Sequence, residues 1–172
     1  RDHIWVLQAE KAYNRLLLLM DRRLDCISRS EDLRGRCDKS LGTAHPLTNL
    51  VVWQLAQANL HLGNTLTARG LYEVALHGFE DWLPPTSMRW MALRTAYAIT
   101  LRGTGQVQEA LQMLDELITL KQEVLGPDHT STIISRRARA ECLIDLQRYD
   151  EAWDDLADQF QRLEKSRSDP LD

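Results

Sequence analysis

Two stretches decide the reading: Leu125-Gly126-Pro127-Asp128-His129-Thr130-Ser131-Thr132, and Leu146-Gln147-Arg148-Tyr149-Asp150-Glu151-Ala152-Trp153. The first is a turn with the means to start a helix. Gly and Pro break the preceding element, and Asp128, Thr130 and Ser131 are the expected N-cap residues. The second is a short polar turn followed by the opening of another helix, with acids in its first turn. Between them lies room for one helix of about four turns.

Shifting the first stretch back by 42 residues gives Leu83-Pro84-Pro85-Thr86-Ser87, and by 84 gives Leu41-Gly42-Thr43-Ala44-His45-Pro46. The agreement extends into the repeat. Ala56, Ala98 and Ala140 form one column, Ala68, Ala110 and Ala152 a second, and Tyr72, Leu114 and Leu156 a third. A small residue lets two helices approach closely. Two alanine columns 12 residues apart, separated by Gly63-Asn64, Gly103-Thr104-Gly105 or Gln147-Arg148, read as helix, tight turn, helix.

The expected helices lie near 47–62, 65–82, 88–102, 106–124, 131–146 and 149–165. Apolar stripes support them: Ala110, Leu111, Leu114, Leu117 and Ile118 in one, Ala152, Leu156, Phe160 and Leu163 in another. Residues 1–40 come into register as a degenerate unit, with helices from Trp5 to Met20 and Leu24 to Lys39. There Cys26 takes the second small position and Asn14 replaces the first alanine. The expected organisation is a single helical-repeat domain over 1–172: a degenerate repeat at 1–40, clearer repeats at 41–82, 83–124 and 125–166, and a tail at 167–172.

The same two stretches resemble the 42-residue tetratricopeptide repeats of the kinesin-light-chain type, whose units read "LGPDHPxT … LGRYEEA". The motif persists as Gly105-Gln106-Val107-Gln108-Glu109-Ala110 and as Leu41-Gly42-Thr43-Ala44-His45-Pro46-Leu47-Thr48. The resemblance implies an all-α fold, a right-handed superhelical stack of antiparallel helix pairs with about four repeats. It also implies a module, not an enzyme, that binds peptides or protein segments along a concave groove lined by the first helix of each pair. Such arrays are frequent in bacterial regulatory proteins. The family's repeats often carry a backbone-binding Asn two positions before the first alanine column; here Gln54, Ala96 and Ala138 stand there.

Repeat geometry places Trp53, Gln57 and His61, then Thr95, Ile99 and Arg102, then Arg137, Glu141 and Asp145, on that groove. Arg94 and Arg136 are one repeat apart. A groove carrying Arg94, Arg102 and Arg137 suits an acidic segment, because guanidinium pairs with carboxylate in bidentate fashion. The alternative is self-pairing with Glu109, Asp115, Glu141 or Asp145.

Composition bounds the rest. Hydrophobic residues make up 44% and charged residues 27%, as in an ordinary globular chain. A net charge of −4 argues against nucleic acid as main partner. Cys26, Cys37 and Cys142 form no metal-type or disulfide pattern, so a reducing, cytoplasmic setting is expected, with no cofactor and no metal. His45 and His129 share a turn position, where helix capping is the expected role. The longest apolar run, Leu16 to Met20, is far too short to span a membrane; it is the expected face for self-association if the array is a homo-oligomer. No Ser/His/Asp order, Walker loop or dinucleotide fingerprint occurs; an enzyme whose repeats build a small-molecule pocket around Arg and His residues is the third alternative, after self-association.

Overall fold

The computed structural model describes residues 3–168. Among them are eight helices and no strand: α1 (Ile4–Leu19), α2 (Arg23–Leu41), α3 (Pro46–Leu62), α4 (Thr65–Phe79), α5 (Met88–Gly103), α6 (Val107–Leu125), α7 (Thr130–Asp145) and α8 (Tyr149–Ser168). Every helix expected from the sequence is present, with ends within three residues. Of the expected tail at 167–172, residues 169–172 lie outside the described residues, as does the side chain of Leu163. The helices fall into two compact units, one running to Thr100 and one starting at Leu101.

The alanine columns are buried throughout, and Cys26 in its small position is buried as well. Asn14, standing where alanine would, is buried and donates from Nδ2 to Ser30 Oγ at 3.3 Å. In the first unit the core gathers Val52, Ala56, Ala68, Tyr72, Ala75, Phe79 and Leu93. Asn49 of α3 donates to the Gly78 carbonyl of α4 at 2.8 Å. In the second unit α6 buries Leu111, Leu114, Leu117 and Ile118, with Lys121 continuing the same face.

The turn inside each pair has one left-handed residue, again 42 apart: Asp21 (φ 61°), Gly63 (φ 89°), Gly105 (φ 86°) and Gln147 (φ 61°). Gly occupies this region without steric cost, whereas an L side chain pays roughly 1–2 kcal/mol. Part of that is offset because Gly is freer when unfolded. Gln147→Gly is therefore expected to stabilise the chain by about 0.5 kcal/mol, and Gly105→Gln to destabilise it. Urea unfolding of both variants checks this, and opposite signs are required.

The helix starts bear out the capping role expected of His45 and His129 and correct the other cap expectation. Asp128, Thr130 and Ser131 are not the caps of α7: the N-cap is His129, whose Nδ1 accepts from the Ser131 amide at 3.1 Å. His45 accepts likewise from the Leu47 amide at 3.1 Å, and His3 from the Trp5 amide at 3.3 Å. The fourth member of this column, Ser87, accepts from the Trp90 amide through Oγ at 3.1 Å. An unprotonated imidazole nitrogen does here what a Ser or Asp oxygen usually does. Thr48 and Thr132 complete the turns by donating to the carbonyls of Gly42 and Gly126, each at 2.9 Å.

Candidate functional site

The positions read from the sequence as groove residues fare differently. In the second unit the arginines pair within their own fold. Arg102 Nε donates to Asp145 at 2.7 Å, and its Nη1 to the Glu141 carboxylate. Burial works against the charge on Arg102, yet the Asp145 hydrogen bond and the attraction of Glu141 and Asp145 hold its pKa above the usual arginine value. Arg139 bridges Asp115 of α6 and Asp155 of α8, and Arg136 pairs with Asp158 at 2.6 Å. Arg137 is exposed, with Nε 3.8 Å from Glu141.

In the first unit Arg94 is half-buried on α5. Thr95 does not offer its hydroxyl outward: it is 4% exposed, and Oγ1 donates to the Met91 carbonyl one turn back. His61 is exposed near the end of α3, where its carbonyl accepts from Arg23. Trp53 and Gln57 are half-buried and line a cleft of about 290 Å³ together with Lys11 and Arg15 of α1, Leu50 and Gln54 of α3, and Arg89 of α5.

This cleft has two properties that isolated positions could not reveal. Three cations converge on it, and no described residue forms an ion pair with Lys11, Arg15 or Arg89. The Lys11 ammonium is held below the usual lysine pKa, first by burial and then by repulsion from Arg89 and Arg15. Second, Trp53 Nε1 and both polar atoms of Gln54 are buried without a hydrogen-bond partner. Buried polar groups are nearly always satisfied, so three orphaned atoms on two neighbouring residues of the cleft wall call for an explanation.

Sequence reasoning missed Lys11 and Arg15, although the signal was there. Subtracting one 42-residue period from Trp53 and Gln57 gives these two positions. The degenerate first repeat therefore carries the cations in register with the groove positions of the second. Arg89 carried no comparable signal, because its register partners Leu47 and Ser131 are not groove residues.

A second cleft, of about 580 Å³, lies on α8 and is lined by Arg137, Trp153, Leu156, Ala157, Gln159, Phe160 and Gln161. Among the described residues no group of three or more His, Cys, Asp or Glu could hold a metal, and no helix is long and apolar enough to cross a membrane.

Residues 91–156 match the family model described as tetratricopeptide repeat. No curated protein matches the chain. Among solved structures, the chain is similar to the kinesin light chain nearly identical TPR-like repeats of Podosopora anserina, at TM-score 0.82 and 21% identity, covering 96% of this chain and 78% of that one. A variant of the same repeats superposes at TM-score 0.79 and 20% identity, covering 95% and 77%. BtubC (BKLC) from P. vanneervenii superposes at TM-score 0.83 and 13% identity, covering 100% of this chain and 68% of that one. Residues 91–156 are thus similar to tetratricopeptide repeats, and the chain has the fold of the kinesin-light-chain TPR-like repeats.

Proposed function

We propose that the chain is a protein-binding module that docks a partner segment on the face formed by α1, α3 and α5, and that it serves as the interaction part of a larger regulatory protein. Tetratricopeptide repeats generally mediate protein–protein interaction, and the comparisons support that coarser statement. The observation that carries the finer one is the cleft bordered by Trp53 and Gln57. It has an aromatic wall, open access and polar atoms awaiting partners, which is the anatomy of a recognition hot spot. Arg94, on α5 in the same unit, is a further candidate contact, and Arg137, in the other unit, lines the α8 cleft instead.

The test is selection of 12-residue peptides displayed on phage against the purified chain, followed by affinity measurement of the enriched peptides. Enriched peptides should lose about tenfold or more in affinity on Trp53→Ser, the usual scale for a half-buried aromatic anchor. Failure to enrich any peptide, or equal binding by the Trp53 variant, overturns the assignment to this face.

Self-association is the second reading, and the α8 cleft favours it. Trp153 and Phe160 are 72% and 62% exposed, and in the first unit Leu16 and Leu19 of α1 and Met20 just after it are exposed too. Exposed apolar side chains gathered on one cleft, as Trp153, Leu156 and Phe160 are, mark interaction sites. Sedimentation velocity across a concentration series should then show species above the monomer that disappear in Trp153→Ser/Phe160→Ser. A monomer at every concentration ends this reading.

A further inference from the structure

We infer that copies of the chain join head to tail, the exposed face of α8 on one copy taking the exposed face of α1 on the next. The inference rests on the self-association reading above and names the second surface, which that reading leaves open.

Helix pairs inside the chain show what such a contact looks like. In the second unit α7 covers α6: Arg139 donates to Asp115, and Lys121 to Ser131 and Ser135. Leu111 and Ile118, on the same stripe of α6 as Asp115, are buried. Adding one 42-residue period to Leu111, Asp115 and Ile118 gives Trp153, Ala157 and Phe160 of α8. These three line the α8 cleft, with Trp153 and Phe160 exposed. The last helix of a repeat array ordinarily turns a polar face outward. α8 instead turns out the apolar face that α6 buries beneath α7.

The complement stands exposed on α1. Subtracting three periods from Thr132, Ser135, Arg139 and Cys142 of α7 gives Val6, Ala9, Tyr13 and Leu16. Spaced three, four and three apart, they form one apolar stripe, and all four are exposed. One period after α1, the same column in α3 is Thr48, Val51, Leu55 and Ala58, and each is buried. Val51 packs there with Leu33 and Cys37 of α2, the helix that precedes it. α1 thus carries the face that α3 and α7 bury against a preceding helix.

Two features match α1 to α8 in particular. The first is the position where Arg139 meets Asp115. In the first unit its equivalents are Tyr97 and Glu73, and the Tyr97 hydroxyl donates to Glu73 at 3.0 Å. At the two exposed faces they are Tyr13 and Ala157. Both polar members of the ion pair are replaced together, a ring on one face and a small side chain on the other, so no charge is left buried without a partner. The second is charge. The sequence of α1 has one acid against two bases, and that of α8 six acids against three bases. Opposite signs favour α1 on α8, whereas two α8 helices would repel. A contact between two different surfaces closes into a ring or runs on as a filament, so it does not stop at a dimer unless the ring has two members.

The experiment is sedimentation velocity on two variants, alone and mixed. Tyr13→Ser/Leu16→Ser disables the α1 face, and Trp153→Ser/Phe160→Ser the α8 face. The parent should associate as its concentration rises, and each variant alone should stay monomeric. Their equimolar mixture should form a one-to-one dimer, because the first variant keeps α8 and the second keeps α1. Association in the mixture should be at least about tenfold tighter than either variant shows with itself. If the α1 variant alone associates as the parent does, self-association stands and the head-to-tail contact is overturned. A mixture that stays monomeric overturns it too. A parent that is monomeric at every concentration ends both readings. All four substituted side chains are exposed, so circular dichroism and thermal midpoints of the variants should match the parent.

Discussion

Gly78→Ala is expected to destabilise the chain by about 3 kcal/mol, although it changes a single hydrogen to a methyl in a helix that should welcome alanine. Propensity alone predicts a gain of about 1 kcal/mol. Packing reverses the sign. A Cβ at position 78 would lie 2.2 Å from Asn49 Oδ1 and 2.4 Å from its Cγ, well inside contact distance. Asn49 cannot swing aside cheaply. It is buried, and its amide donates to the Gly78 carbonyl and, at 3.5 Å, to that of Ala44. The methyl must therefore push α3 from α4 or break these bonds. Urea unfolding of Gly78→Ala, Asn49→Ala and the double variant forms a cycle that isolates the clash. The double variant should be more stable than the sum of the single effects by over about 1 kcal/mol. Simple additivity would show that Asn49 does not meet the new methyl.

Lys121 supplies the second large effect, and it depends on pH. Its side chain is 1% exposed, and the ammonium donates to Ser135 Oγ at 2.7 Å and to the Ser131 carbonyl at 3.1 Å. Burial lowers its pKa from 10.5 to about 8. A lysine that is harder to protonate in the folded state makes the unfolded chain bind more protons between those values. Stability therefore rises as pH increases from about 8 toward 10.5, and below about 8 the folded state carries the full penalty of the buried charge. Lys121→Met should remove this slope, and the difference between parent and variant should shrink by about 2 kcal/mol over that window. Cys142 acts in the opposite sense there, since burial raises its thiol to about 11, but it is common to both proteins and cancels. Denaturant midpoints at neutral pH and near pH 10 test the point. Parallel pH profiles for parent and variant would mean that Lys121 is solvated in the fold.

The fold was legible because the features that set it recur. A turn, two small residues and a left-handed position each return every 42 residues, so each occurrence supports the others. The caps were legible in part: the shared turn position of His45 and His129 pointed to the residues that cap, while Asp128 and Thr130, with the customary chemistry, sit beside the cap and do not serve. The arginines of the second unit were legible as positions but not as roles. Whether Arg102 faces a partner or Glu141 and Asp145 depends on distances between helices, which spacing does not encode. The cleft was hidden for a related reason. Arg89 joins it from outside the repeat column, and an unsatisfied amide exists only once every neighbour is in place.

The bonds that tie helices together also bear on how the chain is made. Asn49 to Gly78 spans 29 residues, Arg23 to the His61 carbonyl 38, and Arg102 to Asp145 43, each about one repeat or less. Contacts of such short sequence separation close with little loop entropy and favour fast folding. On a ribosome releasing roughly 5–20 residues per second, a helix pair need wait only seconds for the next helix to emerge and cover it. Each apolar face is thus sheltered soon after synthesis, and assembly can run from the first helices onward without waiting for the last.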